Sequence, residues 1–254
     1  TAAIFTTAGH PFLGILASLV AGALAGCVTG LLQTKLNIHP VLTGILTMSG
    51  LYSINTVVLG GTPNLTLIGK ETIFTLAQSA FPMLEREAVK LLMAVLVSVV
   101  CTVALVAFFR TRLGLCIRAT GDNTDMVKAS SINVDRMKCI ALALSNGLIA
   151  LCGGLIAQYQ SFADINSGVG ILVVGLASVI IGEAFFGKRS VTIGFISAIF
   201  GSVVYRYIIA MATKADWFPA YMLKLVSAVI VTLALAIPAI KSMMEVQKIR
   251  RGGK

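Results

Sequence analysis

Seven apolar runs, each close to the length of a bilayer crossing, decide what this chain can fold into. They are Pro11–Leu32, Pro40–Gly60, Ala88–Phe109, Cys139–Gln158, Val169–Gly187, Ser190–Met211 and Met222–Ile240. A helix crosses the hydrocarbon core with about 17–25 residues, and only helices and closed barrels keep every backbone polar group paired there. Charged residues make up 12% of the chain, against roughly 25% in a soluble domain. The expected fold is therefore an all-α, polytopic transmembrane bundle of about seven spans. No Pro/Ser-rich linker interrupts it, so residues 1–254 read as one domain in contact with membrane lipid.

The formal charge of +10 is distributed as topology requires. One alternate set of loops holds Lys35, then Arg110, Arg112, Arg118, Lys128, Arg136 and Lys138, then Lys188 and Arg189. The tail adds Lys241, Lys248, Arg250, Arg251 and Lys254. Fourteen of the twenty Lys and Arg residues thus fall on one side. The positive-inside rule places that side in the cytoplasm, with the N-terminus outside and the C-terminus inside. Basic residues between spans are a topology signal and not a nucleic-acid surface. The five cysteines (Cys27, Cys101, Cys116, Cys139, Cys152) show no CxxC pairing and read as small core residues.

Glycines recur at helix-face spacing: Gly22, Gly26 and Gly30 every four residues, and Gly168, Gly175, Gly182 and Gly187, Gly194, Gly201 every seven. Small residues on one face let helix backbones approach closely in lipid. This is the pattern of bundle packing, or more sharply of a subunit interface or a sliding helix. Pro40–Gly60, rich in Ser, Thr and Asn, and the short Val169–Gly187 run are candidates for interruption near the midplane.

No catalytic set emerges. His10 and His39 sit at span edges next to prolines, which suits interfacial or capping roles. Gly69-Lys70 resembles the end of a phosphate loop, but Glu71 follows instead of Ser/Thr and Asn64 stands where the first glycine belongs. Gly168-Val169-Gly170 lacks the third glycine of a dinucleotide fingerprint, having Val173 there. No metal ligand set and no cofactor are expected, and the chain is not read as an enzyme. Polar residues inside spans are costly in lipid and mark solute paths or helix contacts. Asn55, Asn146, Glu183 and Arg206 are the candidates.

The long basic segment at 110–138 is the other candidate site. Thr120, Asp122 and Asn123 are all good N-cap residues, and Asp122 and Asp125 suit a helix N-terminus. Met126, Ala129, Ser130 and Ile132 would form a small apolar ridge. The segment predicts a short amphipathic helix over about Asn123–Ser131 and then a turn at Asn133-Val134-Asp135. It reads as a docking surface for a soluble partner, carried by Thr120, Gly121, Asp122, Asn123, Met126, Ala129, Ile132 and Asn133.

Ala119-Thr120-Gly121-Asp122-Asn123, followed by Ala129 to Lys138, resembles the signature loop of permeases of bacterial ABC importers for branched-chain amino acids and ribose-like sugars. That pattern runs A-x-G-x-N, then a short helix, then G-I-N/D-V; here Ser131 replaces the glycine. The resemblance extends over His39–Gly61 and from Gly168 through the next two spans. Asp164–Gly170 and Ile180–Ser190 look like an amino acid uptake subgroup, with aromatic amino acids as the expected cargo.

The resemblance implies a permease subunit of the bacterial inner membrane, paired with a second copy of itself. Separate cytoplasmic ATP-binding subunits would power it, and an extracytoplasmic binding protein would deliver a small polar solute. It also implies one or more helices ahead of the first span, in keeping with the non-Met start. Two other classes compete with that reading. An ion-coupled secondary transporter would need midplane ionisable groups, for which Glu183 and Arg206 are the candidates. An intramembrane enzyme would need His/Asp/Glu clusters.

Overall fold

The computed structural model describes residues 1–168, 171–187 and 190–214, together with residues 229 and 232. The helices in chain order begin with α1 (Ala2–Thr7), α2 (Pro11–Lys35) and α3 (Pro40–Val58). A short strand β1 (Asn64–Thr66) precedes α4 (Ile73–Ala80), α5 (Arg86–Phe109), α6 (Arg112–Asp122), α7 (Thr124–Ala129) and α8 (Val134–Gln160). Strand β2 (Phe162–Asp164), a 3-10 turn (Ile165–Gly168), α9 (Ile171–Phe186) and α10 (Val191–Lys214) complete the described chain. By length and composition α2, α3, α5, α8 and the Val191–Met211 part of α10 can cross a membrane, whereas α9 is a shorter apolar helix. Met222–Ile240, expected as a seventh span, lies outside the described residues apart from 229 and 232.

The boundaries follow local chemistry. Pro11 and Pro40 occupy the first helical positions of α2 and α3, where a missing N–H costs nothing. His10 and His39 hold the N-cap positions, but neither side chain makes a capping bond. Both runs expected to be interrupted form continuous helices, α3 and α9. The hydroxyls of Thr43, Thr47 and Thr56 donate to the carbonyls of His39, Thr43 and Tyr52 respectively, so these three threonines are absorbed by the backbone of α3 and leave the helix whole.

The chain divides into two compact units, Thr1–Asn166 and Ser167–Lys254. In the first, α2 and α8 run antiparallel in close contact along most of their length. An added Cβ at Gly22 would strike Ala150 and the Asn146 carbonyl; at Gly26, the Leu142 carbonyl and Ala143; at Gly30, Cys139. Gly147 and Gly154 return the fit from α8, meeting Leu19 and Ser18. The four-residue glycine stripe is thus packing within the subunit.

Beyond the α3 end, β1 pairs antiparallel with β2, with Asn64 opposite Asp164 and Thr66 opposite Phe162. This small sheet ties the 61–87 segment to the end of α8. In the second unit, α9 and α10 form an antiparallel hairpin. Gly182 abuts Ser197 and Gly201 abuts the Ser178 carbonyl, while Ala177 and Tyr205 make its buried centre.

Candidate functional site

The segment between α5 and α8 is more ordered than a loop. Helix α6 occupies Arg112–Asp122, where an irregular stretch is expected from sequence. Thr111 caps it by accepting from the Gly114 amide at 3.3 Å. Gly114 permits the corner itself, because a Cβ there would fall on the Phe108 carbonyl and Phe109 Cα. Thr120 is not a cap. It is buried, and its hydroxyl donates to the Cys116 carbonyl at 2.7 Å inside α6.

The break comes at Asn123, which is extended at φ −154° and ψ 105°. Its Oδ1 accepts from the amides of Asp125 and Met126, both at 3.0 Å, and so starts α7. Of three N-cap candidates the structure selects this one. Asp122 is the exposed last residue of α6. Asp125 in the first turn and Lys128 in the last complement the helix dipole. Their exposed ion pair at 3.9 Å adds little.

A tight C-terminal motif ends α7. The Ser131 amide donates to the Lys128 carbonyl at 3.0 Å and the Ile132 amide to the Val127 carbonyl at 3.3 Å. That is the paired pattern of a Schellman motif, which needs a left-handed residue at its turn. Ser131 supplies it at φ 60°, which explains why the resembling pattern has glycine there. Asn133 then caps α8 by accepting from the Arg136 amide at 3.0 Å. The span helix therefore begins at Val134, not at Cys139.

The result is a two-helix element with one face anchored and the other open. Val127, 1% exposed, with Val134 and Met137, forms the anchored side. Gly121, Asp122, Asn123, Met126, Ala129 and Asn133 are exposed and Ile132 is half-buried. Leu113 and Leu115 extend the open apolar surface along α6. The apolar spacing of α7 pointed to Met126 and Ala129. Val127 lies off that ridge, and only the fold identifies it as the anchor.

The four polar candidates inside spans have different fates. Asn55 is exposed on α3. Asn146 is half-buried at the α2 contact, and its amide donates to the Leu142 carbonyl of its own helix at 2.9 Å. In the second unit Glu183 is half-buried on α9 and Arg206 is exposed on α10.

A fifth polar residue makes three hydrogen bonds to other elements. Gln158, 1% exposed near the end of α8, accepts from the Ile73 amide and donates to Thr6 Oγ1 and the Pro11 carbonyl, all at 3.0 Å. It joins α1, α2, α4 and α8 at one point. In the sequence it marks only the end of an apolar run. Next to it Tyr159 receives the Phe74 ring edge-on at 5.7 Å and the Lys90 ammonium at 5.0 Å.

Comparison with known proteins supplies the biological frame. The family model described as branched-chain amino acid transport system / permease component matches residues 1–235. The tyrosine transport system permease protein of Clostridioides difficile is 35% identical over 226 residues, covering 89% of this chain and 72% of that one. The galactose/methyl galactoside import permease protein of Haemophilus influenzae is 27% identical, covering 89% and 66% respectively. The ribose import permease protein of Escherichia coli K12 is 26% identical over 174 residues, covering 68% of this chain and 53% of its own. No solved structure matches the chain significantly.

Proposed function

This chain belongs to the permease family of branched-chain amino acid transport systems, and we propose that it is the membrane half of an amino acid importer. As a member of that family it is a multi-pass inner-membrane transport component rather than an enzyme. In the proposed assembly two copies enclose the path. Cytoplasmic ATP-binding subunits dock on the α6–α7 element through Gly121, Asp122, Asn123, Met126, Ala129 and Ile132. A binding protein delivers solute from outside. Thr120 and Asn133 act within the element, the first by locking α6 and the second by starting α8.

The observation that carries this reading is the α6–α7 element. Its α7 is a short helix capped at both ends, anchored by the buried Val127, with Asp125, Met126, Lys128 and Ala129 exposed. A rigid body joined directly to span helices α5 and α8 can pass movement of a docked partner into the membrane. ATP-driven closure would then switch the path between outward and inward access, by favouring one of two states. The relative that transports tyrosine makes an aromatic amino acid the first solute to test.

Two experiments test the reading. A cysteine at Asp125 should be labelled by an impermeant reagent only from the cytoplasmic face, and one at Asn64 only from outside. Reversed labelling would remove the docking element from the reach of any ATPase. ATP hydrolysis should appear only when the chain is combined with its ATP-binding subunits. Hydrolysis by the purified permease alone would refute the assignment.

A further inference from the structure

Among the spans of the first unit, α3 presents an outward face that lipid cannot satisfy. On α2 every exposed side chain from Phe12 to Leu31 is apolar, as is every exposed side chain on α5 from Leu91 to Ala107. On α3, by contrast, Ser49, Tyr52, Ser53 and Asn55 are exposed and Thr56 is half-buried. At 3.6 residues per turn, Ser49, Tyr52, Ser53 and Thr56 fall within an arc of roughly 100°.

The opposite side of α3 is the one already in use. Thr43 is fully buried, and Thr47 Oγ1 accepts from the Thr29 hydroxyl of α2 at 3.1 Å. The Ser49 and Ser53 hydroxyls and the Asn55 amide have no hydrogen-bond partner among the described residues, whereas Thr56 donates to the Tyr52 carbonyl at 2.9 Å. Polar groups at membrane depth need water or protein to pair with. The arc carries hydroxyls, an amide and one phenol, and no formal charge.

We propose that the Ser49–Tyr52–Ser53–Thr56 arc of α3, with Asn55 at its edge, lines the aqueous solute path and favours hydrogen-bonding solutes without net charge. A zwitterionic amino acid fits that description, and the proposal rests on the transport reading above. The hydroxyls would take the place of solute hydration as it passes. The Tyr52 ring, about half exposed, adds an aromatic edge.

The test uses the transporter assembled with its ATP-binding subunits. Variants S53C on the arc and V99C on the outward face of α5 are treated with a charged, membrane-impermeant thiosulfonate. The parent chain gives the baseline of the native cysteines. Cysteine is nearly isosteric with serine and, at an exposed position, leaves the helix intact. A full charge is disfavoured in hydrocarbon enough that S53C should react on the order of a hundred-fold faster than V99C.

Saturating L-tyrosine should slow the S53C reaction. Equal, baseline reactivity of the two variants would overturn the proposal. So would oxidative S53C–S53C dimers that exclude the reagent, which would make the arc a contact between copies. Fast reaction unaffected by L-tyrosine or any other amino acid would uphold the water-lined arc and refute the amino acid assignment instead.

Discussion

Replacing Asn123 by Ala should loosen the α6–α7 element without unfolding the permease, and the size of the effect can be worked out. Helix α7 has six residues, far below the roughly 12–15 at which isolated helices become marginal. It exists because its ends are satisfied and Val127 is buried. Asn123 takes two of the four amides that the first turn leaves unpaired. Asp125 and Met126 are exposed residues, so water can replace the lost acceptor and the cost falls near the middle of the range for N-caps, about 1 kcal/mol. That is about a fivefold rise in the open population of α7. Amide hydrogen exchange at Asp125 and Met126 should quicken by that factor. Asn123→Asp and Asn123→Ser, which restore an acceptor, should return it to the parent rate. Asp122→Ala should leave exchange in α7 unchanged, because Asp122 ends α6 and does not cap α7. Solute-stimulated ATP hydrolysis by the assembled transporter should fall in Asn123→Ala and recover in Asn123→Asp. Equal exchange in Asn123→Ala and the parent would refute the capping argument. Faster exchange with normal stimulation would refute the coupling role.

Four further substitutions separate docking, packing and clamping. Ala129→Trp should leave the permease in the membrane but prevent co-purification of the ATP-binding subunit, since forcing the ring into a packed interface costs about 1–3 kcal/mol or more. Gly26→Leu should abolish recovery of folded permease, because the side chain would enter the α8 backbone at Leu142. Gly50→Ala, at a position with nothing within 4 Å, should instead be neutral or gain about 0.5–1 kcal/mol. Gln158→Leu should lower the unfolding temperature in detergent, since it leaves the Ile73 amide unpaired at a cost of about 1–3 kcal/mol and takes one partner each from Thr6 Oγ1 and the Pro11 carbonyl.

The spans were legible because length and hydropathy act over about twenty residues at once, and no local detail can reverse them. Helices α2, α3, α5, α8 and α10 lie where the apolar runs lie. The 110–138 segment was legible in part. Its composition announced a helix near Asn123, since Asn, Thr and Asp before an apolar ridge have few other uses. It could not announce α6, whose residues are polar and basic enough to pass for loop. Choosing among Thr120, Asp122 and Asn123 as cap needed backbone angles, because all three side chains can accept from an amide two or three residues on. The continuity of α3 was also hidden: its Ser and Thr side chains look like breaks in a span, yet several bond back to the carbonyl one turn earlier and leave the helix whole.

The glycine stripes mark the limit of spacing arguments. Gly22, Gly26 and Gly30 and the seven-residue sets look alike in sequence, since each puts small residues on one helix face. In the structure the first stripe is consumed by α8 over its whole length. In the second unit Gly182 and Gly201 meet the partner helix of the hairpin, while Gly175 and Gly194 have nothing within 4 Å. Periodicity fixes which face is smooth but says nothing of whether a helix lies against it. The same holds for polar faces. Asn55 and Asn146 are equivalent by composition, and only the position of α2 separates them. Asn146 is held at that contact with its amide turned onto its own helix, while Asn55 stands on the side of α3 that α2 leaves open. A residue's cost in lipid identifies it as a candidate, but its use is decided by which neighbour occupies the other side of its helix.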